Sequence, residues 1–96
     1  MPVTVVRLDA AGWETAADLW AALLPALGAP DWHGNSLDAL FDSLVARLNR
    51  VQPPMIIELV GAAQATAAVV AYVTRIREVF DDAARELGEP ITLRFV

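Results

Sequence analysis

Three short runs rich in β-branched and other apolar residues, Val3–Leu8, Met55–Val60 and Ile91–Val96, constrain the fold more than any other feature. Between each run and the next lies a long segment with helical periodicity. Antiparallel neighbours can be joined by a tight hairpin, whereas strands joined through helices run parallel. The expectation is an α/β domain with a three-stranded parallel sheet packed against about four helices. A chain of 96 residues holds one such domain, spanning 1–96.

The first helix should begin at Thr15, with Asp18 supplying a carboxylate near the positive helix end. Leu19, Trp20, Leu23, Leu24 and Leu27 give its apolar face. Pro25 removes a backbone donor and crowds the preceding turn, so a kink or early end is expected there. Gly28 to Asn35 reads as a loop. A second helix follows from Leu37, with Ser36 as N-cap. Its core stripe should be Leu37, Leu40, Leu44 and Leu48, while Asp38, Asp42 and Val45 cluster on another side and Phe41 sits at the border. Gly61 to Leu87 is helical in pattern and is read as two helices with a break near Tyr72-Val73-Thr74, Thr74 capping the second. Val73, Ile76, Val79, Phe80, Ala83 and Leu87 should face the core, and Gly88 should end the helix.

Composition narrows the function classes. Twelve acidic residues against seven basic give a formal charge of −5, which argues against a nucleic-acid footprint and favours a basic partner. Without cysteine there is no disulfide framework, no zinc–thiolate site and no thiol nucleophile, which suits a cytoplasmic protein. No secretory signal is visible at Met1–Thr4, and charged residues interrupt every apolar stretch before it reaches membrane-spanning length. One histidine, no Gly-rich phosphate loop and no nucleophile–base pair in register leave an enzyme without support, and no metal or other cofactor is expected. Asp38 and Asp42 as metal ligands are the reading that a calcium or magnesium titration would revive.

The segment Pro30-Asp31-Trp32-His33-Gly34-Asn35-Ser36-Leu37-Asp38-Ala39-Leu40-Phe41-Asp42 resembles, without a gap, the signature of the barstar family, whose members inhibit secreted microbial ribonucleases inside the producing cell. That signature reads approximately proline, acidic, aromatic, aromatic, glycine, any residue, asparagine, leucine, aspartate, alanine, leucine, tryptophan, aspartate. Asp18-Leu19, the strand containing Glu58 and Phe80-Asp81-Asp82 also fall where the family has counterparts, so the resemblance covers most of the chain.

The resemblance implies a loop and second-helix surface that plugs the active site of a guanyl-specific ribonuclease in a one-to-one complex, the free protein being a monomer. Asp42 would mimic RNA phosphate, Asp38 would be a second acidic anchor, Trp32 would cover a catalytic histidine and Gly34 would allow close approach. Asn35, Ser36, Leu37, Phe41 and Val45 complete the expected contact surface, with Asp82 and Glu86 as further acidic contacts. His33, alone in a loop, is expected at the surface with no chemistry beyond a possible interface contact. Ser36 stands where the family has asparagine and Phe41 where it has tryptophan. Val45 and Arg47 also depart from the best-known member, so partner choice is expected to differ. An acidic interaction or immunity module binding another basic protein is the competing reading.

Overall fold

The structure is a computed structural model that describes residues 2–96. The element order is β1 (Thr4–Asp9), α1 (Ala16–Leu27), α2 (Leu37–Val45), β2 (Met55–Val60), a single 3-10 turn (Ala62–Gln64), α3 (Ala67–Leu87) and β3 (Ile91–Phe95). The three strands form one parallel sheet in the order β1-β2-β3, in register Thr4 to Met55 and Met55 to Ile91. The architecture is α/β with three α-helices, one fewer than the sequence suggests.

Alternation along the strands gives the sheet two unlike faces. Met55, Ile57, Leu59, Ile91 and Leu93 are buried in the same core as the apolar faces of all three helices, centred on Leu23, Leu40, Ile76 and Phe80. Each such side chain contributes about 1.5–3 kcal/mol by leaving water. The opposite face, carrying Val5, Arg7 and Arg94, is open to solvent. No helix of the described residues is long and apolar enough to cross a membrane.

The expected helix break is absent because the buried face of α3 runs on through it. Thr74 does not cap; its hydroxyl donates back to the Val70 carbonyl at 3.1 Å, one turn earlier in the same helix. The cap is Thr66, whose side chain accepts from the Val69 amide at 3.3 Å. Val69, Val73, Ile76, Phe80 and Ala83 then form one uninterrupted buried stripe, which holds the whole 21-residue helix together. Of the expected preceding helix, the start is a 3-10 turn, Ala62–Gln64, and the part from Ala67 onward is the beginning of α3.

Pro25 neither breaks nor shortens α1 before its natural end. It lies in the last turn, and Gly28, left-handed at φ 67°, closes the helix by returning its amide to the Pro25 carbonyl at 3.0 Å. At the other end the Asp18 carboxylate accepts from the amides of Glu14 at 2.8 Å and Thr15 at 3.2 Å. These two backbone bonds hold the Asp18 carboxyl below the usual aspartate range.

Candidate functional site

The site is built around α2 and the loop before it. Ser36 caps the helix as its position suggests, its hydroxyl oxygen accepting from the Ala39 amide at 3.0 Å. Leu40, Ser43 and Leu44 are buried, while Leu37, Phe41 and Val45 are half-buried against the core. Val45, seven residues after Asp38, lies on the carboxylate side of the helix but is half-buried, resting partly against the core. Leu48 falls outside the helix and is exposed, contrary to its place in the expected stripe. Arg47 adopts a left-handed φ of 59°, and the Leu48 amide returns to the Ser43 carbonyl at 3.0 Å, ending the helix before Leu48 can join it.

Asp38 and Asp42 point away from this packed side and are exposed. Among the described residues the ion pairs are Arg7–Glu58, Arg94–Glu58, Arg47–Glu89 and Arg85–Asp82, and neither α2 aspartate has a cationic partner there. Trp32, in the adjoining loop, is 73% exposed, an unusual state for so large an aromatic surface. Asn35 is exposed as well and, with Asp31, His33, Leu24, Pro25, Ala29 and Pro30, lines a cleft of about 330 Å³ beside the loop.

Gly34 is exposed and has no left-handed backbone. A Cβ added there would meet only the Ala39 Cβ, at an ordinary 3.8 Å. Gly28 differs: it is left-handed, and a Cβ would come within 2.6 Å of the Arg50 side chain. The fold requires glycine at 28 and does not require it at 34.

Asp82 and Glu86 lie on the exposed side of the last turns of α3. α2 packs against α3, and the Arg47–Glu89 bridge, at 3.0 Å, links the residue just past α2 to the residue after Gly88. Asp82 is already engaged by Arg85, three residues on, while Glu86 takes part in no ion pair among the described residues. An exposed pair of this kind is worth about 0–1 kcal/mol and is readily exchanged for a better partner.

His33 departs most from its sequence-based expectation. It is buried, 9% exposed, with Nδ1 2.7 Å from the Gly34 carbonyl oxygen and Nε2 2.9 Å from Ser43 Oγ. Ser43 Oγ also lies 3.0 Å from the Leu40 carbonyl oxygen and accepts from the Asn49 side-chain amide at 3.2 Å. This network, spanning loop, helix and the segment after it, was hidden in the sequence because nothing in the spacing of His33, Ser43 and Asn49 marks them as neighbours.

A second charged constellation also escaped the sequence. Parallel register places Arg7, Glu58 and Arg94 in one row across the open sheet face. Arg7 reaches Glu58 Oε1 at 3.0 Å and Arg94 reaches Oε2 through Nε at 3.0 Å, leaving the Glu58 side chain 7% exposed. The Arg94 and then the Arg7 hydrogen bonds hold the Glu58 carboxyl below the usual glutamate range.

Among the described residues no three acidic or histidine side chains converge as metal ligands. What the geometry offers is a rigid helix with two unpaired carboxylates beside an exposed tryptophan. The sequence model of the family described as Barstar (barnase inhibitor) matches residues 3–96. The chain belongs to the barstar family. Members of that family are inhibitors rather than enzymes, and the family implies a ribonuclease as the partner. No curated protein matches the chain.

Proposed function

We propose that this barstar-family protein inhibits a secreted, guanyl-specific microbial ribonuclease by occupying its active site with carboxylates in place of RNA phosphate. The observation that carries the reading is the state of Asp38 and Asp42: both exposed, four residues apart on one helix, and unpaired among the described residues. Like charges at this spacing cost a free helix about 0.2–0.5 kcal/mol, which a cationic pocket relieves. A nuclease site concentrates donors that hold phosphate, and a carboxylate satisfies them without presenting a bond that can be cleaved.

Asp42 enters deepest and Asp38 acts as the second anchor. Trp32 lays its exposed ring on the nuclease, and Gly34 lets the backbone come close at a position where the fold itself tolerates a side chain. Asn35, Ser36, Leu37, Phe41 and Val45 supply the remaining edge of the surface, Asp82 and Glu86 its far rim. The complex is one-to-one, and the free protein is a cytoplasmic monomer that protects the cell producing the nuclease.

Titration of the purified protein into several guanyl-specific bacterial ribonucleases tests this directly. Stoichiometric inhibition of at least one, at or below micromolar concentration, is expected. Absence of inhibition against all of them assigns the same acidic face to a different basic protein.

A further inference from the structure

The proposed contact loop is held from beneath by a side chain that does not reach the surface. The Gly34 carbonyl can only accept a hydrogen bond, so the His33 Nδ1 that lies 2.7 Å from it carries a proton. On the other edge of the ring, Nε2 faces Ser43 Oγ at 2.9 Å. That hydroxyl has one proton to give and also meets the Asn49 Nδ2 at 3.2 Å, which donates, and the Leu40 carbonyl at 3.0 Å, which accepts. When the ring is neutral, the Ser43 proton turns to the bare Nε2, and the Leu40 carbonyl keeps its bond within α2. When Nε2 carries a proton as well, the hydroxyl accepts it and donates to Leu40. Of the two neutral tautomers, only the one with a bare Nδ1 sets two acceptors against each other across 2.7 Å, at the Gly34 carbonyl.

We infer that His33 is the positioning residue of the binding loop. Held in the Nδ1–H tautomer and anchored to α2 through Ser43, it fixes the Gly34 carbonyl, so that Trp32 and the backbone of residues 34–36 meet the partner already in their bound arrangement. The nature of that partner rests on the inhibitor reading; the positioning itself rests on the geometry alone. A loop ordered beforehand avoids an entropy loss on association. If it is ordered only part of the time, apparent affinity falls by the fraction that is competent.

Three measurements on the intact protein test the inference. Two-bond ¹H–¹⁵N correlation spectra of the free wild type at pH about 8 should show a protonated Nδ1 and a bare Nε2; the reverse assignment overturns it. In Ser43→Ala, and independently in His33→Phe, hydrogen exchange of the amides of residues 33–36 should accelerate about tenfold while those of Val73–Phe80 keep their wild-type protection. Unchanged loop exchange in both variants overturns it. Ser43 is buried at 2% exposure and cannot touch a partner, yet Ser43→Ala should weaken ribonuclease inhibition about tenfold. If the wild type inhibits and Ser43→Ala inhibits equally well, the positioning role is lost. If the wild type inhibits no ribonuclease while the tautomer and exchange results hold, the inhibitor reading falls and the positioning role stands.

Discussion

Two regions of this molecule present carboxylates at the surface, and they treat them in opposite ways. On the open sheet face Glu58 is clamped between Arg7 and Arg94, both of its oxygens bonded and its side chain nearly covered. On α2, Asp38 and Asp42 stand exposed with no cation beside them among the described residues. A carboxylate satisfied within its own chain adds to the stability of the fold and has little left for a partner. One left unsatisfied adds nothing to folding and keeps its full field for something outside. The difference separates the part of the acidic character that holds the molecule together from the part that is available for recognition.

The largest effect expected from breaking this contrast is in binding. Asp42→Ala should weaken association with the inhibited ribonuclease by at least about 2–5 kcal/mol, the general cost of truncating one partner of a buried charge pair at an interface, while the thermal midpoint stays put or rises slightly. Inhibition titrations and a melting curve on the same preparation read both. An unchanged affinity with a lowered melting point would place Asp42 in the same class as Glu58.

Glu58→Gln should do the reverse, lowering the urea midpoint more than Asp38→Ala or Asp42→Ala does and leaving inhibition as it was. Its pH signature follows from the lowered carboxyl. The stabilisation is complete above the ordinary glutamate range and is lost as pH falls through that range and below it. Asp18 acts in the same sense. Wild-type urea midpoints should therefore be level from pH 7 to about 5 and fall below about pH 4, and the Gln variant should approach the wild type at the acid end. A constant gap between the two at every pH would show that Glu58 stabilises by packing and not by charge.

Gly34→Ala sharpens the contrast without touching a charge. Since the added methyl meets only the Ala39 Cβ at 3.8 Å, stability should hold or gain about 0.4–1 kcal/mol, and affinity should fall about tenfold as the nuclease meets the methyl. Equal affinity would remove close approach at this residue from the binding surface. The smallest change is expected at Arg47→Gly. Relief of the left-handed backbone, worth about 1 kcal/mol, offsets the loss of an exposed bridge to Glu89 worth about 0–1 kcal/mol. Its urea-unfolding free energy should stay within about 0.5 kcal/mol of the wild type.

Local chemistry was legible in the sequence wherever it acts over a few residues. The three strands, the Ser36 cap, the glycine stop at 88 and the exposed pair Asp38 and Asp42 all depend on neighbours within about one helical turn. The motif from Pro30 to Asp42 pointed to the family to which the chain belongs. Thr74 misled because a threonine that caps and one that bonds back within a helix are identical in sequence; the continuous stripe from Val69 to Ala83 decides between them, and it exists only once α3 has a core to face. Leu48 misled because a single left-handed residue, Arg47, ends the helical period before it.

What only the tertiary structure decided are the meetings of residues far apart in the chain. The Arg7–Glu58–Arg94 row needs the register of three parallel strands, and the His33–Ser43–Asn49 network needs the loop folded back on α2. The sequence determines which side chains can bond or carry charge. Whether a given carboxylate or imidazole finds its partner inside the molecule or is left without one depends on distances that exist only after the chain has closed on its core.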